Sequence, residues 1–263
     1  MVVSDKYRYV FVELPRTGST AIGRELRRRY DGRNILYKHA TYEEFLKAAS
    51  PEQKRYFVFG GLRNPLDDAV SLYFKLATDH QQKFSALRNA SSFTRLTYQF
   101  RARQFAFAQS DEGGFSRFFV RFYRYPYDNW SSLSHESFDS IVRFETLAED
   151  FAHVLSCLGI EQSRPLPVGN KTGGRKLPYW KYYDGSAIAR AKWVFGVYMK
   201  KWGYRFPAEW ELDDYEPGAV NRLMHKGLNL FRNTYWRYIR PLVYARLVNE
   251  RRRRQDADLV GGA

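Results

Sequence analysis

The chain has 263 residues, enough for one sizeable α/β domain with a full hydrophobic core and a tight fit for two. Apolar residues make up 44% and aromatic residues 17%, which excludes a disordered chain, while a formal charge of +15 points to an anionic partner. That partner could be a multiply phosphorylated nucleotide, an acidic polymer, nucleic acid or an anionic membrane, and charge alone does not choose among them.

The N-terminal Met1 to Lys6 lacks the charged-then-apolar layout of a signal peptide, and no stretch approaches the roughly 20 apolar residues of a membrane span. A cytoplasmic protein is expected. The β-branched and aromatic run Tyr7 to Val12 reads as a buried strand ending before Pro15. Ile22, Leu26 and Tyr30 then recur at helical spacing until Asp31-Gly32. Asn34 to Tyr37 reads as a second strand, and Thr41-x-x-Glu44 as a capping box opening a helix that stops before Pro51.

Arg55 to Phe59 is a third predicted strand; Pro65 opens a helix whose apolar face is Leu66, Val70, Tyr73, Phe74 and Ala77. The stretch from about 79 to 129 is rich in Phe, Tyr, Gln and Arg and reads as partly helical, with most rings in the core. Phe138 to Phe144 is a fourth strand, and Thr146-x-x-Glu149 is expected to cap a helix that buries the single Cys157 as a structural thiol. His135 reads as a surface residue. A Gly/Pro-rich loop over 165–174 separates this from helices around Ala187 to Lys201 and from Asn221 onward, the last interrupted at Gly227, Asn233 and Pro241. Strands alternating with helices predict an α/β fold with a mainly parallel sheet flanked by helices over 1–208, and a basic helical extension over 209–263.

Two strand-to-helix junctions carry the chemistry. Pro15-Arg16-Thr17-Gly18-Ser19-Thr20 sits where a helix N-terminus presents free N–H groups and partial positive charge to an anion. Gly18 allows close approach, Ser19 and Thr20 add hydroxyls, and Arg16 adds a charged fork. It is not the Gly-x-x-x-x-Gly-Lys-Ser/Thr loop of nucleotide triphosphatases. Arg63-Asn64-Pro65, with Ser71 two turns into the next helix, forms the second junction, and Arg63 and Ser71 could converge on one phosphate if its strand lies beside the first.

Together, in this order, the junctions resemble the sulfotransferase superfamily. Lys38-His39-Ala40-Thr41, Tyr56 to Phe59, Val142-Arg143-Phe144-Glu145-x-Leu147 and Asn170-Lys171-Thr172 extend the likeness to bacterial and carbohydrate members over about residues 7–205. The resemblance implies a phosphate-loop-like fold. It also implies a donor, 3′-phosphoadenosine 5′-phosphosulfate, with Arg16, Thr17, Gly18, Ser19, Thr20 and Ala21 on the 5′-phosphosulfate and Arg63 and Ser71 on the 3′-phosphate. Lys171 to Arg175 is a candidate lid, Lys171 and Arg175 touching the cofactor. Asp68 stands where many relatives have Arg, and is expected to affect surface contacts more than the donor; Arg16 stands where many have Lys.

His39 is the preferred base, kept neutral by a nearby helix N-terminus; Glu13 is the rival. No metal is expected. The implied acceptor is a hydroxyl, favoured by the resemblance as that of a polysaccharide or glycolipid, and no nucleic acid is expected. Rival readings are a nucleotide or metabolite kinase and a non-catalytic protein that binds an anionic polymer. The tail from Asn221 to Arg254 reads as a packed helix with a solvated basic end, with peripheral contact at the inner face of a membrane, polysaccharide steering or a dimer contact as alternatives.

Overall fold

The structure, a computed structural model, describes residues 1–82, 84–86, 91–110, 114–129, 134–167, 173–212, 214–243 and 246. Its sheet is built from β1 (Val2–Ser4), β2 (Tyr9–Val12), β3 (Arg33–Asn34), β4 (Phe57–Leu62) and β5 (Ser140–Arg143), in the order β3-β1-β2-β4-β5. The central strand β2 alternates strictly. Tyr9 and Phe11 point to one face and pack with α1 (Ser19–Arg29) and α7 (Leu147–Cys157). Val10 and Val12 point to the other and pack with Phe45 of α2 (Tyr42–Ala48). Each such fully buried ring or aliphatic side chain contributes roughly 1.5–3 kcal/mol.

A mainly parallel sheet was expected, and the sheet is mixed. β2, β4 and β5 are parallel, with Phe11 opposite Phe59 and Gly61 opposite Val142. β1, which the short run at the N-terminus did not announce, pairs antiparallel with both β2 and β3. The reason is the connection: Asp5 to Arg8 is too short for a parallel crossover and turns back through Arg8 at φ 53°. The predicted strand at 34–37 shrinks to Arg33–Asn34, because Leu36 at φ 58° turns the chain away from the edge.

Beyond the strand ends lies a helical layer of α3 (Pro65–Ala77), α4 (Ser92–Thr97), α5 (Gln99–Ala108), α6 (Phe115–Phe122) and α8 (Gly185–Lys201). Leu66, Val70, Phe118, Phe119, Val194 and Phe195 form its core. The rings of the 79–129 stretch mostly go here, as Phe119 against Tyr123 at 4.6 Å shows. α9 (Ala219–Thr234) follows α8 and continues through a π-turn, Tyr235–Ile239, into helical residues 240–243. The expected breaks at Gly227, Asn233 and Pro241 do not occur. A helical Gly costs only about 1 kcal/mol, and the wide π-turn just before Pro241 relieves the clash of its ring with the preceding turn.

Three local expectations are corrected. Cys157 is exposed, its Sγ 3.5 Å from His153 Nε2, because Phe151, Val154 and Leu155 define the buried face of α7 and Cys157 falls off it. Thr146 makes no side-chain cap; Asp150 instead accepts from the Arg143 N–H at 2.6 Å. His135 is buried between Phe138 and Trp202, its Nε2 3.0 Å from the Gly61 carbonyl oxygen.

Candidate functional site

The parallel pairing of β2 with β4 puts their two C-terminal junctions side by side. From β2 the chain runs through Arg16 at φ 65° and Gly18 at φ 75°, the N-cap of α1. A non-glycine residue held in the left-handed region is strained and needs surrounding structure to keep it there. That structure comes from β4. A Cβ added to Gly61 would lie 2.4 Å from Thr17 Oγ1, so the loop nests on bare backbone. Thr17 Oγ1 donates to the Leu14 carbonyl at 3.1 Å, tightening the turn. Ala21 N–H is used internally, donating to Gly18 O at 2.9 Å, while Ser19 and Thr20 lie in the first turn, where N–H groups point out of the helix.

Arg63 ties the second junction to the first. Its Nη1 donates to the Arg16 carbonyl at 3.0 Å, its Nε and Nη2 to Asp67 Oδ2 at 2.8 and 2.6 Å, and its guanidinium stacks 3.9 Å from the Phe144 ring centroid. Arg175 pairs with the other oxygen of Asp67, so one buried carboxylate holds two guanidiniums next to each other. Ser71 is buried in the same helix α3, two turns on. Asn64 caps that helix through the Leu66 N–H at 3.0 Å, and its own N–H donates to Glu145 at 2.7 Å. Asn170, Lys171 and Thr172 lie outside the described residues.

Asp68 was expected to act at the surface. It is instead buried in the site, with Oδ2 2.9 Å from Arg16 Nη2. Burial is the largest influence and works against the Arg16 charge, but Asp68, Tyr123 and Tyr127 together hold the guanidinium above its ordinary pKa. Arg16 Nη1 and Asp68 Oδ1 are both buried and meet no hydrogen-bond partner among the described residues. Buried polar atoms of this kind are ordinarily satisfied by a partner, protein or otherwise.

Next to them stands Arg101 of α5, which sequence reading passed over because its stretch has no clear register. Among the described residues it makes no ion pair; it donates to Gln104 Oε1 at 2.8 Å. Burial first, and then repulsion from Arg16, bring its pKa down to about 10. Tyr123 and Tyr127 complete this wall, both feeling the charges of Arg16 and Asp68.

His39 is held at the edge of the same loop. Its Nδ1 lies 2.8 Å from the Glu13 carbonyl oxygen, which can only accept, so Nδ1 carries the proton and Nε2 keeps its lone pair. Burial, with Lys38 adding to it and the Glu13 carbonyl opposing, lowers its pKa to about 4, so the ring is neutral at pH 7. Its backbone is left-handed, φ 67°, and is braced from three sides. Thr41 and Glu44 form the expected capping box of α2. Arg240 donates to the His39 carbonyl at 2.7 Å and to Glu44 at 3.3 Å, and Lys38 Nζ reaches Thr20 Oγ1 at 2.9 Å. Glu13 is buried on the other side of the strand, where its carboxylate meets the Met1 amino group at 2.8 Å and Arg27 at 3.6 Å.

Among the described residues no three His, Cys, Asp or Glu side chains cluster as a metal site would require. The sequence model of the sulfotransferase family matches residues 1–177, which contain both junctions, His39, Asp68 and Arg101. No curated protein and no solved structure matches the chain.

Proposed function

The chain belongs to the sulfotransferase family, and on that premise we propose that it transfers a sulfuryl group from 3′-phosphoadenosine 5′-phosphosulfate to a carbohydrate hydroxyl. The observation that carries this reading is the bond from Arg63 to the Arg16 carbonyl. It joins two anion-receptive junctions at one end of a phosphate-loop-like strand pair, which suits a nucleotide phosphorylated at both 5′ and 3′ positions. In this reading Ser19 and Thr20, with Arg16, receive the 5′-phosphosulfate, Thr17 and Gly18 shape the turn and Ala21 closes it. Arg63 and Arg175, gathered on Asp67, share the 3′-phosphate with Ser71.

The acceptor occupies the wall of Asp68, Arg101, Tyr123 and Tyr127. Its hydroxyl gives its proton to His39 Nε2 while the oxygen attacks sulfur, and the bond from sulfur to the bridging oxygen breaks. Adenosine 3′,5′-bisphosphate leaves with that oxygen, its growing charge met by Arg16 and the loop N–H groups. His39 is favoured over Glu13 as base on position: its imidazole is neutral at pH 7 and stands at the edge of the loop with Nε2 bare, whereas the Glu13 carboxylate is buried against the Met1 amino group and Arg27.

The test follows labelled sulfate from the donor into a panel of polysaccharide and glycolipid acceptors. Transfer that is lost in Arg16→Ala and in His39→Ala, with nucleotide binding kept in the second, supports the reading. Transfer of phosphate from ATP with magnesium would favour a kinase, and nucleotide binding without any turnover a non-catalytic binder of anionic polymers.

A further inference from the structure

Helix α9 is turned inside out. The side chains it presents to the protein are polar: Asn221 donates to the Trp193 carbonyl at 2.6 Å, His225 and Asn229 meet Asp128, and Arg232 donates to the Pro126 carbonyl at 2.6 Å. Arg240, past the π-turn, extends this row into the His39 carbonyl. From Asn221 to Arg232 these residues recur every three or four positions on one side, as an inward face must.

The opposite side is apolar and bare. Val220 is 69% exposed, Leu223 73%, Leu230 67%, Phe231 71%, Tyr238 64% and Leu242 74%. They share one side of the helix, with Gly227 and Thr234 lying between them on that side, and form one stripe about 33 Å long at 1.5 Å per residue. Soluble monomers rarely leave so long an apolar side of a helix open to water. Lys226 and Arg237 flank the stripe, both exposed, and Arg251 to Arg254 follow in sequence, on a chain of net charge +15. No described helix is long and apolar enough to cross a membrane. An apolar stripe with basic flanks, held by its polar face, matches a helix that lies in the interface of an anionic bilayer.

We propose that α9 and its continuation to Leu242 dock this protein on anionic lipid, with Val220, Leu223, Leu230, Phe231, Tyr238 and Leu242 entering the headgroup–acyl boundary and Lys226 and Arg237 meeting the lipid charge. The charge flank selects lipid over a second copy of the chain, since two copies facing each other through this stripe would bring their basic rows together. The proposal is independent of the donor and acceptor assigned above. Its geometric consequence is that the edge carrying His39, to which Arg240 is bonded, stays near the lipid surface.

The test is flotation of the full chain with vesicles of phosphatidylcholine alone and of phosphatidylcholine with 30% phosphatidylglycerol, beside its molar mass by light scattering. The protein is expected to float with the anionic vesicles and to be released by about tenfold when salt rises from 0.1 to 0.5 M, a screening effect. Leu230→Glu with Phe231→Glu should lower the bound fraction at least tenfold, and Lys226→Glu with Arg237→Glu several-fold. All four positions are solvent-facing, and an unchanged melting temperature verifies the fold of each variant. Failure to float with anionic vesicles overturns the proposal, as does equal flotation with the neutral ones. A molar mass that doubles with concentration and reverts in the Leu230→Glu, Phe231→Glu variant would assign the stripe to a second copy instead.

Discussion

Replacing His39 by Gln isolates the group on which the proposed chemistry turns. The ordinary pKa of a histidine is about 6.5, and burial brings His39 down to about 4. The unfolded chain therefore takes up a proton as pH falls through 6.5, while the folded chain does not until about 4. Because the folded pKa is the lower one, the contribution of the neutral ring is fully present above 6.5 and is lost as the pH falls towards 4. Linkage makes the loss about 2–3 kcal/mol for this half-buried ring. Urea unfolding of the wild type and His39→Gln at pH 7.5, 5.5 and 4.5 reads it as a narrowing of the gap between the two proteins. The imidazole Cε1 resonance, assigned by its absence in the variant, should titrate with a midpoint near 4. A midpoint near 6.5 would refute the reasoning, since the ring would then be solvated and partly charged near neutrality.

Gly61→Ala should push a Cβ to within 2.4 Å of Thr17 Oγ1, costing about 1–3 kcal/mol in urea unfolding and weakening nucleotide binding by roughly tenfold or more as the loop shifts. Asp68→Asn separates two effects of opposite sign. Stability should fall by about 1–3 kcal/mol as Arg16 loses its counter-ion, while adenosine 3′,5′-bisphosphate should bind roughly tenfold tighter, because a nearby negative charge has gone. Weaker binding in titration calorimetry would instead make Asp68 a positioning residue for Arg16. Arg240→Ala removes the brace on the His39 carbonyl and Glu44; turnover should fall while nucleotide affinity stays within about twofold, and equal losses in both would contradict a local role.

Much of the site was legible because its parts are local. Pro15 to Thr20 and Arg63 to Ser71 each lie within one strand–turn–helix, where turn chemistry and helix ends are written in adjacent residues. The capping box that starts α2 just after His39 was equally readable. What escaped depends on contacts far apart in sequence. The roles of Asp68 and Arg101 appear only when α3 and α5 are brought beside Arg16. The burial of His135 needs Trp202, and the reversed face of α9 needs Trp193, Asp128 and Pro126 as partners. A helical pattern marks an apolar face but does not say which side of the helix meets the protein. The N-terminal strand escaped for another reason: three residues are too few to show a period of two.

The central claim is that the paired junctions read a nucleotide by its 3′-phosphate. Titration calorimetry of the wild type and Arg63→Ala with adenosine 3′,5′-bisphosphate and with adenosine 5′-phosphate measures this directly. The wild type should prefer the bisphosphate by at least tenfold, and Arg63→Ala should lose most of that preference, its affinity for the bisphosphate falling much further than its affinity for the 5′-monophosphate. Equal affinity for the two nucleotides in the wild type, or a preference for ATP with magnesium, would contradict it.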